Sequence, residues 1–155
     1  MNKKFSLKNY STDISAERSI AEIEKILASF GAEAIMKEYT KDGKARALSF
    51  KINGDVFKLP ANVSGVKEIL FSGRRGYYGR DSMKNREEKA YKVAWRILKD
   101  WTHAQLSLIA SGQAHPQQLF FGHMCYGNKT LYQVYVEKKQ LPQAKEETES
   151  KGEES

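Results

Sequence analysis

The first apolar pattern along the chain predicts an amphipathic helix over about residues 16–30. Apolar residues recur at helical spacing at Ile20, Ile23, Leu27 and Phe30. Ser15 has a side chain that can cap the first turn of this helix. Gly31 is the residue type that most often follows a helix end, because it adopts the left-handed conformation without a steric cost. We therefore predict that helix one lies between Ser15 and Gly31.

Three short strands joined by two tight turns are predicted next. Residues 33–39 run into Asp42-Gly43, and Asn53-Gly54 separates a second strand from a third over residues 56–59. Both dipeptides are typical of hairpin turns. In the second strand, alternation predicts one face formed by Arg46, Leu48, Phe50 and Ile52 and the other formed by Ala47, Ser49 and Lys51. The pattern therefore predicts an antiparallel three-stranded meander.

The second half of the sequence is dominated by one long predicted helix. Asn62 is placed to cap a short helix, which a basic loop over residues 72–80 follows. The long helix should begin near Asp81 or Ser82 and end near Ser111, before Gly112. Residues 129–136 are interpreted as a final strand, with a helix as the alternative. The predicted fold class is therefore α+β.

The long helix has an apolar face and a positively charged one. At 100° per residue, the apolar face is formed by Ala90, Ala94, Ile97, Trp101, Ala104 and Leu108. A cationic stripe lies nearly opposite, formed by Lys89, Lys92, Arg96, Lys99 and His103. Trp95 lies about 120° from the axis of the apolar face, so it either faces a partner or packs against the C-terminal strand. The residues expected in the core are Phe50, Ile52, Leu59, Ile97 and Trp101.

Charge and composition divide the protein into one domain with two polar ends. We predict a flexible N-terminus over residues 1–14, a single domain over 15–136 and a disordered Lys/Glu-rich tail over 137–155. The formal net charge is +7. The single cysteine, Cys125, fits a reducing compartment, and no apolar stretch is long enough for a secretory signal or a membrane span. These features predict a cytoplasmic protein that does not enter a membrane.

The basic loop and the cationic stripe are the strongest functional signal. Arginine and lysine neutralise phosphates with release of counterions, and tyrosines can stack on unpaired bases. The residues predicted to bind DNA or RNA are Arg74, Arg75, Tyr77, Tyr78, Arg80, Lys84, Arg86, Lys89, Lys92, Arg96 and Lys99. A solvated helix face beside a mobile loop is the simpler interpretation of the same residues.

The order of the predicted elements is similar to that of double-stranded-RNA-binding domains, in which the start of the last helix contacts phosphates. In that arrangement Lys84, Arg86, Lys89 and Lys92 stand where phosphate contacts are expected. The sequence departs from the pattern by placing residues 61–82 between the third strand and the long helix. It also lacks the run of small residues typical of that helix, so the similarity is one of element order.

Metal binding and catalysis have weaker signals. His123 and Cys125 form a His-x-Cys pair, but no second pair occurs at zinc-finger spacing, so we expect no metal and no cofactor. Asp42-x-Lys44 is similar to the Asp-x-Lys of metal-dependent nucleases, although turn formation before Gly43 also explains Asp42. No Gly-x-Ser-x-Gly elbow and no phosphate loop occurs. We therefore do not expect an enzyme.

The sequence resembles a group of small proteins from bacteriophages, prophages and related mobile elements. The matching stretches are residues 17–27, 47–50, 57–61, 93–101, 104–106 and 130–132. The most distinctive of them is Ala-Trp-Arg-Ile-Leu-Lys-Asp-Trp at residues 94–101. The protein departs from the group at residues 120–124, where the group tends to have Leu-Pro-Tyr-Met, and in its extended Arg/Tyr/Gly loop. The resemblance implies a mobile-element setting and supplies no activity.

Three functions therefore compete at the level of sequence. The first is a non-catalytic nucleic-acid-binding accessory protein of a phage or mobile element. The second is a protein-interaction module that uses the same basic surface to bind an acidic protein of the phage or host. An enzyme is the third.

Overall fold

The computed structural model describes residues 5–71 and 83–139. Its strands are β1 (Ala34–Tyr39), β2 (Ala45–Ile52), β3 (Asp55–Pro60), β4 (Cys125–Tyr126) and β5 (Lys129–Thr130). Its helices are α1 (Ala16–Phe30), α2 (Val63–Phe71), α3 (Met83–Ala110), α4 (Pro116–Phe120) and α5 (residues 131–139). A 3₁₀ turn over Phe121–His123 connects α4 to β4. The α+β class and the predicted order of helix, meander, short helix and long helix are confirmed.

Helix α1 is bounded by the two residues that the sequence indicates. The Ser15 hydroxyl accepts a hydrogen bond from the Arg18 backbone N–H at 3.2 Å. Gly31 has a φ of 108°, in the left-handed region, and its N–H donates to the carbonyls of Leu27 and Ala28. Both ends of the helix therefore depend on local signals, which explains why the sequence predicts them correctly.

The sheet is the predicted antiparallel meander in the order β1-β2-β3. In the turn between β2 and β3, Asn53 and Gly54 have positive φ values of 51° and 84°. Two successive residues with positive φ give the turn a twist that matches the twist of the flanking strands. In β2 and β3, Phe50 pairs with Phe57 and Leu48 with Leu59, so that the large apolar side chains share one face.

The predicted face of β2 is wrong at Arg46. The pairing register shifts so that Glu38 lies opposite Ala47 and Tyr39 lies opposite Ala45, which leaves Arg46 as an extra residue. Such a bulge re-aims the side chains on one side of it. Ala45 therefore joins the core, while Arg46 is exposed and pairs with Glu38 at 3.4 Å.

Helix α3 is rotated from the orientation that its apolar pattern predicts. The side chains of α3 that are buried are Ala90, Tyr91, Val93, Ala94, Trp95, Thr102 and Leu106. Ala104, predicted on the apolar face, is exposed, and Ile97, predicted in the core, is only half-buried, so both predictions are wrong. The physical reason is that α3 packs against α1, α2 and the sheet, so its contacts extend well beyond one apolar stripe.

Trp95 is an anchor of α3 and does not face a partner. Its side chain is fully buried, and its indole N–H donates to the Ala45 carbonyl of β2 at 3.1 Å. One turn earlier, the Tyr91 hydroxyl accepts from the Ala45 N–H at 3.0 Å. Both proposed positions for Trp95 are therefore wrong, because the indole packs on the meander and not on the C-terminal strand.

The other end of the core is aromatic. Phe120 of α4 contacts Phe50, Phe57 and Trp101, with ring centroids 5.3 to 5.6 Å apart. Phe50, like Ile52 and Leu59, is buried as predicted, whereas Trp101 is half-buried at the edge of the core. Helix α4 therefore closes the core beneath the second half of α3.

The predicted strand over residues 129–136 is mostly wrong. Only Lys129–Thr130 is a strand, paired with Cys125–Tyr126, and residues 131–139 are helical. The Thr130 hydroxyl accepts from the Gln133 N–H at 3.3 Å, which stabilises the first turn of α5. The helix continues into the predicted tail as far as residue 139, and the rest of that tail lies outside the described ranges. None of the described helices is both long enough and apolar enough to cross a membrane.

Candidate nucleic-acid interface

The predicted interface residues fall into three groups. Those of the basic loop, Arg74, Arg75, Tyr77, Tyr78 and Arg80, lie outside the described residues. The other six, Lys84, Arg86, Lys89, Lys92, Arg96 and Lys99, all lie on α3. Two of these six lie in an ion-pair cluster, three lie on an open surface, and Arg86 lies against α2.

The second half of the cationic stripe forms ion pairs with neighbouring carboxylates. Arg96 donates to Glu22 of α1 at 2.6 Å, and Lys99 lies 3.7 Å from the same carboxylate. Lys99 also lies 3.5 Å from Asp100, which accepts a hydrogen bond from Asn9 at 2.8 Å. The Arg96 and Lys99 side chains are only 15% and 16% exposed. These two cations therefore connect α3 to α1 and are mostly shielded from solvent; Glu22 also pairs with Arg18, and Asp100 with Lys8.

The acidic members of this cluster titrate abnormally. The hydrogen bond from Arg96 holds the pKa of Glu22 below its usual range, and the charges of Arg96 and Lys99 add to that effect against the cost of burial. Burial alone would raise the pKa of Asp100, but hydrogen bonds from Asn9 and Lys8 outweigh it and lower that pKa. Both groups are therefore ionised at neutral pH; Glu22 stabilises the packing of α1 on α3, and Asp100 holds the segment before α1 against α3.

Replacing Glu22 by glutamine is expected to reduce the free energy of unfolding by about 1 kcal/mol at pH 7. Because the folded-state pKa of Glu22 is lowered, its stabilisation is present above the unfolded value of 4.5 and is lost as the pH falls through the folded pKa. The difference between wild type and variant should therefore shrink between about pH 5 and pH 3 in urea unfolding. Glu68→Gln, at an exposed position with no ion pair among the described residues, is the matched control and should have little effect. A pH-independent difference would contradict the ion-pair assignment.

The first half of α3 presents its lysines differently. Lys84 is exposed and Lys89 and Lys92 are half-buried, and none of the three has an ion-pair partner within 4 Å among the described residues. Arg86 lies on the α2 side of the helix, with its guanidinium carbon 5.3 Å from the centre of the Phe71 ring. Three of the predicted lysines therefore remain available at one end of the helix.

The β1–β2 hairpin brings further positive charge to this end, which the sequence does not indicate. Lys44 binds the carboxylate of Glu88, and this hydrogen bond raises the pKa of Lys44 and lowers that of Glu88. Lys84 and Lys92 lie one turn before and one turn after Glu88, close enough for their charges to lower its pKa too. Lys44, Lys84 and Lys92 therefore surround one carboxylate, that of Glu88, and a net positive charge remains.

Lys41 completes the surface at the hairpin tip. It is exposed, and it lies three residues from Lys44 in a turn closed by the hydrogen bond from the Thr40 N–H to the Lys44 carbonyl at 2.8 Å. The contacts of Ala45 with Tyr91 and Trp95 hold the base of this hairpin against α3. We define the cationic face as Lys41, Lys84, Lys89 and Lys92. Asp42, in the same turn, precedes Gly43, whose φ of 78° fits turn formation.

A second surface lies on the side of the sheet away from α1 and α3. An open groove of about 1120 Å³ is bordered there by exposed Met36 and Val56 of the sheet and by Tyr132 of α5. Its charged side chains are paired, because Glu38 lies 2.8 Å from Lys58, and Lys129 lies 2.7 Å from Glu137. This groove is therefore more apolar and less charged than the cationic face.

The histidine and cysteine near this groove have structural contacts. His123 Nδ1 lies 3.1 Å from the Lys58 carbonyl oxygen, and its ring lies 5.5 Å from that of Trp101. Cys125 is half-buried and pairs with Thr130 in the β4–β5 hairpin. Within residues 5–71 and 83–139, no three His, Cys, Asp or Glu side chains are grouped as metal ligands.

Comparison of the sequence and fold with protein-family models, with curated proteins and with solved structures finds no match.

Proposed function

We propose that the protein binds nucleic acid without catalysing a reaction on it, through the cationic face. The main observation in support of the proposal is that the basic side chains of α3 differ in their ion pairing along the helix. Arg96 and Lys99 are compensated by Glu22 and Asp100, whereas Lys84, Lys89 and Lys92 have no such partner among the described residues. The resemblance to phage and mobile-element proteins makes an accessory role in such an element our proposed setting.

The geometry of the cationic face favours contact with a phosphate backbone. Lys84, Lys89 and Lys92 lie on one helix; Lys89 and Lys92 are three residues apart, a spacing at which helix neighbours are about 5–6 Å apart, and Lys84 precedes Lys92 by about two turns. Lys41 adds a fourth charge from a hairpin that is hydrogen-bonded to the same helix through Ala45. Lysines act as point charges toward phosphate and do not read base identity by themselves. We therefore propose binding with little sequence preference. The basic loop at residues 72–80, which lies outside the described ranges, joins α2 to α3 and adds three arginines to the proposal.

The salt dependence of binding tests this proposal. If the four lysines neutralise about four phosphates, log K against log[salt] should have a slope near −3 to −4. The affinity for a duplex of about 20 base pairs should then fall about 100-fold between 50 and 200 mM KCl, as measured by fluorescence anisotropy. Duplex DNA, duplex RNA and single-stranded DNA are titrated in parallel. Absence of binding at about 50 mM, or a flat slope, would refute the proposal.

The same cationic face could instead bind an acidic protein, which is the competing proposal. Such a partner also gives salt-dependent binding, but it does not release the condensed counterions of a nucleic acid. A protein that shows no measurable affinity for any of the three nucleic acids at about 50 mM salt would favour this second function.

A further inference from the structure

The segment that follows α5 has the opposite charge to the rest of the protein. Residues 140–155 contain five glutamates and two lysines, a formal charge of −3. The remaining residues, 1–139, contain 24 basic and 14 acidic side chains, a formal charge of +10. The acidic residues of this segment are Glu146, Glu147, Glu149, Glu153 and Glu154. We call residues 140–155 the acidic segment.

The acidic segment is long enough to reach the cationic face from the end of α5. Sixteen extended residues span up to about 50 Å, at about 3.3 Å per residue. A compact unit of the size of residues 5–139 has a radius of gyration of about 14 Å, which corresponds to a diameter of less than about 40 Å. The length of the segment therefore allows contact with any part of the domain surface, and charge decides where it binds.

Charge favours the cationic face over the basic side chains that already form ion pairs. Arg96 and Lys99 are compensated by Glu22 and Asp100, and Lys58 and Lys129 are compensated by Glu38 and Glu137. Within the described residues, no carboxylate is ion-paired with any of the four lysines of the cationic face. A glutamate of the acidic segment therefore gains more there than at a basic side chain that already has an ion-pair partner.

We propose that the acidic segment binds the cationic face within the same molecule and competes there with nucleic acid. Tethering gives the segment an effective concentration in the millimolar range, so weak charge contacts suffice for partial occupancy. The competition rests on the proposed function, whereas the intramolecular contact does not. Because the contact depends on exposed charges, salt weakens it.

Paramagnetic relaxation enhancement tests the contact in the absence of nucleic acid. A spin label is attached at Thr148→Cys in the full-length protein, with Cys125→Ser so that the label has one site. At about 50 mM salt we expect at least a twofold loss of amide peak intensity near Lys41, Lys84 and Lys92, and recovery at about 500 mM. Amides near Ala110, about 27 Å further along α3 from Lys92 at 1.5 Å per residue, should keep their intensity. Uniform broadening, or broadening that salt does not change, would overturn the proposal.

Nucleic-acid affinity tests the competition, with a charge-matched control. Replacing Glu146, Glu147 and Glu149 by glutamine should raise the affinity for duplex DNA about threefold to tenfold at 50 mM salt, and less at 200 mM. The control replaces three exposed acids away from the hairpin tip, Asp13→Asn, Glu33→Gln and Glu68→Gln, and changes the net charge by the same amount. An equal gain in both variants would mean that net charge alone is responsible, and it would overturn the competition.

The two experiments separate this inference from the proposed function. If the spin label broadens the amide signals of the cationic face but no variant binds nucleic acid, the proposed function fails and the intramolecular contact stands. If the protein binds nucleic acid and the spin label does not broaden the amide signals of the cationic face, the proposed function stands and the further inference fails.

Discussion

Replacing Trp95 by alanine is expected to lower the free energy of unfolding by about 3–5 kcal/mol. The indole is fully buried, and its N–H donates to the Ala45 carbonyl. The substitution removes a large apolar contact, leaves a cavity between α3 and the sheet, and deprives a carbonyl of β2 of a hydrogen bond. For a domain of this size, such a loss is a large fraction of the total stability. Urea unfolding followed by circular dichroism measures it.

A second variant separates the hydrogen bond of Trp95 from its apolar contacts, and a third variant serves as an exposed control. Trp95→Phe keeps most of the ring and removes the indole N–H, so we expect a smaller loss of about 1–2 kcal/mol. Tyr135→Ala removes an aromatic side chain that is 59% exposed and should change the stability by less than about 0.5 kcal/mol. A loss below about 1 kcal/mol for Trp95→Ala would contradict its buried position between α3 and β2.

Simultaneous replacement of Lys84, Lys89 and Lys92 by alanine is expected to weaken nucleic-acid binding on the order of 100-fold at 50 mM salt, or about 2.7 kcal/mol. Each lysine is proposed to neutralise one phosphate. The slope of log K against log[salt] should therefore become less steep by about 2.7. The loss should be similar for nucleic acids of different sequence, because lysine contacts to phosphate position the protein without reading bases.

A control with the same change in net charge decides whether position matters. Lys25, Lys51 and Lys138 lie away from the start of α3, on α1, β2 and α5, and alanine at these three positions also removes three charges. We expect this control to lose less than about fivefold in affinity, through the weaker long-range field alone. Equal losses in the two triple variants would mean that net charge and not the cationic face determines binding. Unchanged urea unfolding of both variants excludes a loss of fold.

Local signals explain which elements of the fold could be predicted. Ser15 and Gly31 bound α1, and Asn53-Gly54 forms its turn, because each of these effects depends on neighbours within a few residues. The three strands alternate around those turns, so their pairing order follows from their order in the sequence. The α+β class therefore required only the sequence.

The orientation of α3 required the tertiary structure. Tyr91, Trp95 and Thr102 are polar or amphipathic, so a count of apolar residues does not identify the side that packs on the sheet. Helix α3 is covered by α1, α2 and the meander, so it buries residues on several of its sides. A helical period of about 3.6 residues does not show which of these sides is buried most deeply. The same limit applies to residues 129–136, where β-branched and aromatic residues favour a strand, and yet residues 131–139 are helical.

The candidate site likewise has features that the sequence predicts and features that only the tertiary structure shows. The sequence by itself determined that positive charge is concentrated on the long helix, because charge is a property of composition and helical spacing. It could not determine that Arg96 and Lys99 are compensated, since Glu22 lies more than seventy residues away in the sequence. Nor could it bring Lys41 to the start of α3, a position that depends on the contacts of Ala45 with Tyr91 and Trp95. Only the tertiary structure decided which lysines remain available, because long-range pairing neutralises some charges and leaves others facing solvent.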